Sequence, residues 1–124
     1  MAQEISVTTG LQVRKGSLLY SLPNAVQKID MAGGHITGNV QDVTTAAGGV
    51  AVGLGAGIAT AGWAVFTNLD STHNISLGVQ VSSTFYPLVL LKPGETQVFR
   101  LATLTFYAQA ATATSKLGFT IVED

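Results

Sequence analysis

Trp63-Ala64-Val65-Phe66-Thr67-Asn68-Leu69-Asp70 opens the half of the chain that decides the fold. It is an apolar run that ends in the turn-forming residues Asn and Asp, so it predicts a strand followed by a turn. Ile75-Ser76-Leu77-Gly78-Val79-Gln80-Val81 then alternates apolar with small or polar residues, which is the period-two pattern of a half-buried strand. Similar runs follow at residues 85–91, 96–101, 104–110 and 117–122. The C-terminal half is therefore predicted to be β-sheet with short turns.

Short strands at intervals of about 8–12 residues are typical of antiparallel sandwiches and jelly rolls. We therefore predict an all-β fold, an antiparallel β-sandwich of jelly-roll-like type with an extended N-terminal arm. The arm spans residues 1–24 and ends near Pro23, which has no N–H to donate to a sheet. Residues 25–124 form the single β-sandwich domain. Residues 25–31 fit either a short helical turn or a strand.

The predicted arm has strand character without an obvious partner. Ile5 and Val7 alternate with polar residues, and Leu11 and Val13 do so again after Gly10. A terminal segment of this kind can pair with a neighbouring subunit, where main-chain hydrogen bonds supply affinity. The same pattern also fits a plain first strand of the sandwich. We take Ile5, Val7, Leu11 and Val13 as the interaction residues of the arm.

The composition indicates a chain that is partly covered by other protein. Its 124 residues suffice for one domain, and 47% of them are hydrophobic while only 10% are charged. A usual charged share is about 25%, so part of the surface is expected to lie against other subunits in a homo-oligomer. The net charge of -1 provides no field that would attract nucleic acid.

Cysteine is absent, which excludes disulfides, thiolate nucleophiles and cysteine-based metal sites. The first residues lack a basic region followed by an apolar one, so no secretory signal is predicted. Synthesis in the cytosol is the expected default.

Residues 46–66 carry no charge and are about as long as a membrane-spanning helix. Their apolarity is mostly Ala and Gly, with few of the Leu and Ile residues that drive insertion, and basic anchors are missing. A membrane span is therefore the weaker interpretation. We predict a glycine-rich loop with one short strand near residues 50–54, and no membrane partner.

No catalytic or metal-binding constellation stands out. His35 and His73 are far apart in the sequence, and no Asp or Glu lies at a ligand spacing from either. The acidic residues are scattered, so nothing selects a carboxylate pair for acid–base chemistry. We predict no enzymatic activity, no metal and no cofactor.

Arg100 is unusual because it lies within an apolar strand sequence. An Arg in such a place generally pairs with a carboxylate or lies at an interface. Asp70 and Glu95 are its predicted intramolecular partners, and an inter-subunit contact is the alternative.

Four aromatic residues invite a second interpretation. Trp63, Phe85, Tyr86 and Tyr107 could form a platform on which sugars stack. Core filling is the favoured interpretation, because Trp63 and Phe85 lie in the most apolar runs.

Several short stretches of the C-terminal half together carry a resemblance. They are Trp63-x-Val65-Phe66-x-Asn68-Leu69-Asp70, Ile75-x-Leu77-Gly78, Phe85-Tyr86-Pro87-Leu88, Leu91-Lys92-Pro93-Gly94-Glu95, Arg100-Leu101, Leu104-x-Phe106-Tyr107-Ala108-x-Ala110 and Ile121-Val122-Glu123-Asp124. Through these stretches the chain resembles small virion proteins of tailed bacteriophages over residues 62–124.

The resemblance implies a non-enzymatic structural component of the virion, made in the host cytoplasm and present in many copies. Its expected partners are the major capsid protein or another virion protein, together with sister copies. A capsid decoration (cement) protein is the leading expectation, and a tail, head–tail or fibre-associated part also fits. A carbohydrate-binding module for host attachment is the alternative from a different class.

Overall fold

The protein is all-β in its computed structural model, which describes residues 3–54 and 57–124. These residues form ten strands and no helix, and every strand pairing is antiparallel. The all-β prediction is therefore confirmed. The strands are β1 (Ile5–Lys15), β2 (Leu18–Ile29), β3 (Ile36–Val43), β4 (Val50–Ala51), β5 (Ala61–Asn68), β6 (Ile75–Val81), β7 (Thr84–Leu91), β8 (Thr96–Arg100), β9 (Tyr107–Ala110) and β10 (Ser115–Glu123).

The chain divides into two compact units, Met1–Ala32 and Gly33–Asp124. The predicted boundary after residue 24 falls inside β2 instead, and residues 25–29 are strand rather than helical turn. Pro23 does not end the strand because it lies at a bulge, where Gly10, Pro23 and Asn24 have no partner in the strand register. A bulge tolerates proline because no ladder hydrogen bond is required there.

The unit Met1–Ala32 is one two-stranded hairpin of β1 and β2. Gly16 has a φ of 58°, the left-handed conformation that the tight turn requires. At the open end, the Gln3 N–H donates to Asp30 Oδ1 at 2.9 Å and the Met31 N–H donates to Glu4 Oε2 at 3.1 Å. The Met31 bond holds the pKa of Glu4 below its ordinary value. These bonds tie the two ends of the hairpin together.

The unit Gly33–Asp124 contains two four-stranded sheets. The first sheet has the order β3-β10-β5-β8, and the second sheet has the order β4-β9-β6-β7. Four pairings are nested, since β3 pairs with β10, β4 with β9, β5 with β8, and β6 with β7. The last strand, β10, therefore lies inside the first sheet, between β3 and β5.

Both sheets contribute to one hydrophobic core. Phe66 of β5 is fully buried, and its ring centroid lies 5.4 Å from that of Phe99 and 5.5 Å from that of Phe106. In β10 the alternate residues Leu117 and Ile121 are also fully buried. In β5 and β10 every second side chain is thus supplied to the core, as the period-two pattern predicts.

The uncharged segment 46–66 is used in this core. β4 covers only two residues of the strand predicted at 50–54, and Val52, Leu54 and Ile58 are buried in the core cluster. The Val52 N–H also donates to the Phe106 carbonyl at 2.9 Å. Gly55 and Ala56, which belong to the predicted loop, lie outside the described residues. In the described part of the chain, no helix has the length and apolarity needed to cross a membrane.

β6 and β7 approach each other closely at Gly78. A Cβ atom at this position would collide with the Tyr86 carbonyl oxygen and would lie 3.0 Å from the Cα atom of Pro87. Both obstacles are backbone, which cannot move aside as the end of a flexible side chain can. Glycine is therefore required here by the close approach of two strands.

We expect Gly78→Ala to lower the free energy of unfolding by about 1–3 kcal/mol, the usual cost of overpacking. Urea denaturation followed by circular dichroism measures this change. Gly34→Ala is the matched control, because a Cβ there meets nothing within 4 Å. Its effect should stay within about 0.5 kcal/mol. Equal stability of the two variants would contradict the close approach.

Candidate interaction surface

The hairpin tip, residues 11–22, has one apolar face. Leu11 pairs with Leu22, Val13 with Tyr20, and Lys15 with Leu18. Directly opposed residues of an antiparallel pair share a face. The five apolar side chains of this group form the tip face, and their exposed fractions are Leu11 56%, Val13 37%, Leu18 59%, Tyr20 52% and Leu22 48%.

The opposite side of the hairpin tip is mostly polar. It presents Gln12 paired with Ser21 and Arg14 paired with Leu19. The hairpin is thus amphipathic, with an apolar side that is open to solvent in the described structure. Contiguous exposed apolar patches on soluble proteins mark sites of protein contact.

The predicted interaction residues of the arm all lie on the apolar side of β1, but they differ in exposure. Leu11 and Val13 are exposed, whereas Val7 is buried and Ile5 is half-buried. Ile5 and Val7 are therefore not free to meet a partner, and the exposed surface is confined to the tip. Leu18, Tyr20 and Leu22 were not predicted as interaction residues. A hairpin turn at Gly16, which pairs residues 18–22 with residues 11–15, is the feature that would have indicated them.

A second apolar surface lies on the outer face of the first sheet. Ile36 of β3 pairs with Val122 of β10, and Val65 of β5 pairs with Val98 of β8. These side chains alternate with core residues, so they point away from the core. The apolar side chains of this outer face are the exposed Ile36, Val40, Val65 and Val98 and the half-buried Trp63 and Val122. The same face also carries the polar side chains of Asp42, Thr67, Thr96, Lys116 and Thr120.

The outer face of the second sheet is different, because the segment 46–49 lies against it. Gln80 Nε2 donates to the Gly48 carbonyl at 2.7 Å, and Gln109 Nε2 donates to the Ala46 carbonyl at 2.8 Å. Phe85, which pairs with Gln80, is buried beside Gly49. Leu90 is exposed on this face, whereas the first sheet exposes the four large apolar side chains Ile36, Val40, Val65 and Val98, so the outer face of the first sheet is the more open of the two.

Arg100 borders the outer face of the first sheet. Its Nη1 donates to Asp124 Oδ2, and its guanidinium carbon lies 5.5 Å from the centroid of the Trp63 ring. Both side chains of the ion pair are about a third exposed, so the pair contributes at most about 1 kcal/mol. Asp124 was not among the partners predicted for Arg100.

The two predicted partners of Arg100 are engaged elsewhere. Asp70 Oδ1 accepts the backbone N–H groups of Thr72 and His73, each at 2.7 Å. These bonds, with that of Thr72 first, hold the pKa of Asp70 well below its ordinary value. Glu95 Oε2 accepts the Lys92 N–H at 2.9 Å within the turn before β8. Both acids therefore stabilise their own turns.

Glu123, near the end of β10, joins two distant segments. Its Oε1 accepts the Ala59 N–H at 2.8 Å, and its Oε2 accepts the Gly34 N–H at 2.9 Å and lies 2.9 Å from His35 Nδ1. The carboxylate is largely buried. The pKa of Glu123 is lowered from 4.5 to about 2 by these interactions. The hydrogen bond from the Ala59 N–H has the largest effect, followed by those with His35 and Gly34. No local pattern of residues indicates this site, because its members are far apart in the chain.

Ionised Glu123 stabilises the fold above pH 4.5, and this contribution is lost as the pH falls towards about 2, since the folded state has the lower pKa. We expect Glu123→Gln to melt below the wild type at pH 7, with a difference that shrinks as the pH falls through this range. Differential scanning calorimetry measures both melting temperatures. Asp42→Asn, in an exposed pair with Lys116, is the control and should change little at either pH. A difference for Glu123→Gln that is the same at both ends of the range would contradict the role of the ionised carboxylate.

An apolar cleft of about 290 Å³ opens between the sheets beside β7 and β8. Arg100 and Thr103 are its only polar lining residues, and Arg100 is held by Asp124. The lining of this cleft is therefore almost wholly apolar. The residues that line it are Val79, Leu88, Val89, Phe99, Arg100, Leu101, Ala102, Thr103 and Phe106.

The two histidines do not meet. His35 lies beside Glu123, and His73 Nδ1 lies 3.2 Å from Asp70 Oδ1. Across residues 3–54 and 57–124, no group of three or more His, Cys, Asp or Glu side chains could hold a metal ion.

The four aromatic residues do not form one platform. Trp63 lies in the first sheet, whereas Phe85, Tyr86 and Tyr107 lie in the second. The predicted core position of Trp63 is wrong, because its side of β5 is the outer face and the core positions are Ala64 and Phe66. Phe85 is buried as predicted, but beneath the segment 46–49 rather than in the core cluster.

No protein-family model, curated protein or solved structure matches the chain. The functional interpretation therefore rests on the tip face of the hairpin and on the outer face of the first sheet.

Proposed function

We propose that the protein is a non-enzymatic structural protein of a bacteriophage virion, a decoration (cement) protein that binds the capsid shell and neighbouring copies. The observation that carries this proposal is the tip face of the hairpin, with five exposed apolar side chains on one side of a two-stranded ribbon. A two-stranded hairpin is at best marginally stable alone in water. In an adhesive protein, the binding partner supplies the surface on which such a hairpin packs.

The topology of Gly33–Asp124 supports a jelly roll. Its eight strands pair first with eighth, second with seventh, third with sixth, and fourth with fifth. When a long antiparallel hairpin rolls up into a jelly roll, successive strand pairs fall alternately in one sheet and in the other. Here the pairs β3–β10 and β5–β8 lie in the first sheet, and the pairs β4–β9 and β6–β7 lie in the second. Jelly rolls occur in viral capsid and lectin domains, so this fold agrees with a virion role.

The adhesive mechanism uses the hairpin as the arm. The tip face buries apolar area against a partner, and the free edges of β1 and β2 offer main-chain groups for strand addition. A protein that binds only the assembled shell stabilises that shell by mass action. The low charged fraction of the chain suits a surface that is buried after assembly.

A tail, head–tail or fibre-associated position uses the same adhesive chemistry and differs only in the partner.

Carbohydrate binding is less well supported. The guanidinium of Arg100 lies over the Trp63 ring, and the other aromatic residues lie in the second sheet.

We expect mass spectrometry to find many copies of the chain in phage particles purified from the strain that encodes it. Leu11→Asp should reduce the copy number by about tenfold, because a charge buried in an apolar contact costs at least the 1.4 kcal/mol that a tenfold change in binding represents. Absence of the wild-type chain from purified particles would refute the virion role.

Leu90→Asp is the matched control for this experiment. Leu90 is 50% exposed, close to the 56% of Leu11, but it lies in the second sheet. We expect it to leave the copy number unchanged. An equal loss for both variants would show that added charge, rather than the tip face, is responsible.

A further inference from the structure

We propose that the tip face of one copy packs on the outer face of the first sheet of a second copy, and that two copies exchange hairpins reciprocally in a two-fold dimer. The inference deepens the proposed function and rests on it only in treating the hairpin as adhesive. It adds the receiving surface and the symmetry of the contact.

The difference between the two sheets selects the receiving surface. On the second sheet, Gln80 and Gln109 hold the segment 46–49 against the outer side, and Phe85 is buried there. On the first sheet, Val65 and Val98 lie side by side and remain exposed. An apolar ribbon gains more by covering the open apolar face than by displacing a hydrogen-bonded segment.

The charge distribution favours contact between the hairpin of one copy and the larger unit of another. Residues 1–32 carry three basic and two acidic side chains, whereas residues 33–124 carry three basic and five acidic ones. Within residues 5–27 the only charged side chains are Arg14 and Lys15. Two hairpin tips placed face to face would bring these like charges together. On the outer face of the first sheet, by contrast, the basic groups are already paired with acids, Arg100 with Asp124 and Lys116 with Asp42.

The area that each contact buries favours reciprocal exchange. The five half-exposed side chains of the tip face present about 300 Å² of apolar surface, given the area that such side chains bury. One contact with a matching face then buries about 600 Å² in total, below the roughly 1,200 Å² of a stable interface. Two contacts related by a two-fold axis reach this size, and such self-complementary dimers are the commonest oligomers.

The absence of cysteine from the chain allows a direct test by cross-linking. Full-length copies carrying Leu11→Cys are mixed with copies carrying Val65→Cys and treated with a short bis-maleimide. We expect the mixed pair to cross-link about tenfold more than Leu11→Cys mixed with Leu90→Cys, because association raises the effective concentration of facing thiols. Sedimentation of the unmodified wild-type chain should give twice the monomer mass of 12.8 kDa at high concentration.

Three results would overturn the inference. Preferential cross-linking of Leu11→Cys to itself would indicate contact between hairpins. Closure within one chain of the Leu11→Cys/Val65→Cys double variant, in a monomeric sample, would show that the tip covers its own sheet. Sedimentation as a monomer at every concentration, or as a ring larger than a dimer, would exclude the two-fold exchange.

These outcomes are separable from those of the proposed function. A purified chain that forms the cross-linked dimer but is absent from phage particles would retain the inference and refute the virion role. A chain that is found in particles but stays monomeric in solution would support the virion role and refute the two-fold exchange.

Discussion

The position of β10 is the constraint on which the rest of the structure depends. The last strand of the chain is hydrogen-bonded to β3 on one side and to β5 on the other. The first sheet is therefore complete only when the C-terminal strand has joined it. Its inward residues, Leu117, Phe119 and Ile121, are central to the core. Its end carries Glu123, which binds the backbone at Gly34 and Ala59. Strand order, core packing and loop positions are therefore linked through a single strand.

The core explains only part of the unusual apolarity of the chain. Val52, Leu54 and Ile58 account for the uncharged segment that resembled a membrane span, because they are buried between the sheets. The side chains of the tip face and of the outer face of the first sheet are not used in this way. A strand that faces water on one side normally alternates apolar with polar residues. Apolar side chains on the solvent side, such as Val65 and Val98, depart from this pattern, and we propose that other protein covers them.

Local features of the sequence predicted much of the fold, and distant contacts could not be predicted. Period-two alternation identified the strands of the C-terminal half. It could not show which face of β5 points to the core, so Trp63 was wrongly placed there. The bulge at Pro23, the pairing of Arg100 with Asp124 and the cluster around Glu123 all depend on strand register. Register is set by the whole sheet, and no short segment encodes it.

Hydrogen–deuterium exchange at two protein concentrations tests most directly whether the hairpin tip is a surface for other copies of the chain. In a dilute monomer, the backbone amides of residues 11–22 should exchange rapidly, because a two-stranded ribbon without a packed face opens easily. At concentrations at which the chain self-associates, the same amides should become protected, while those in β10 remain slow at both concentrations. Exchange in residues 11–22 that is slow and independent of concentration would contradict the role of the tip as an interface.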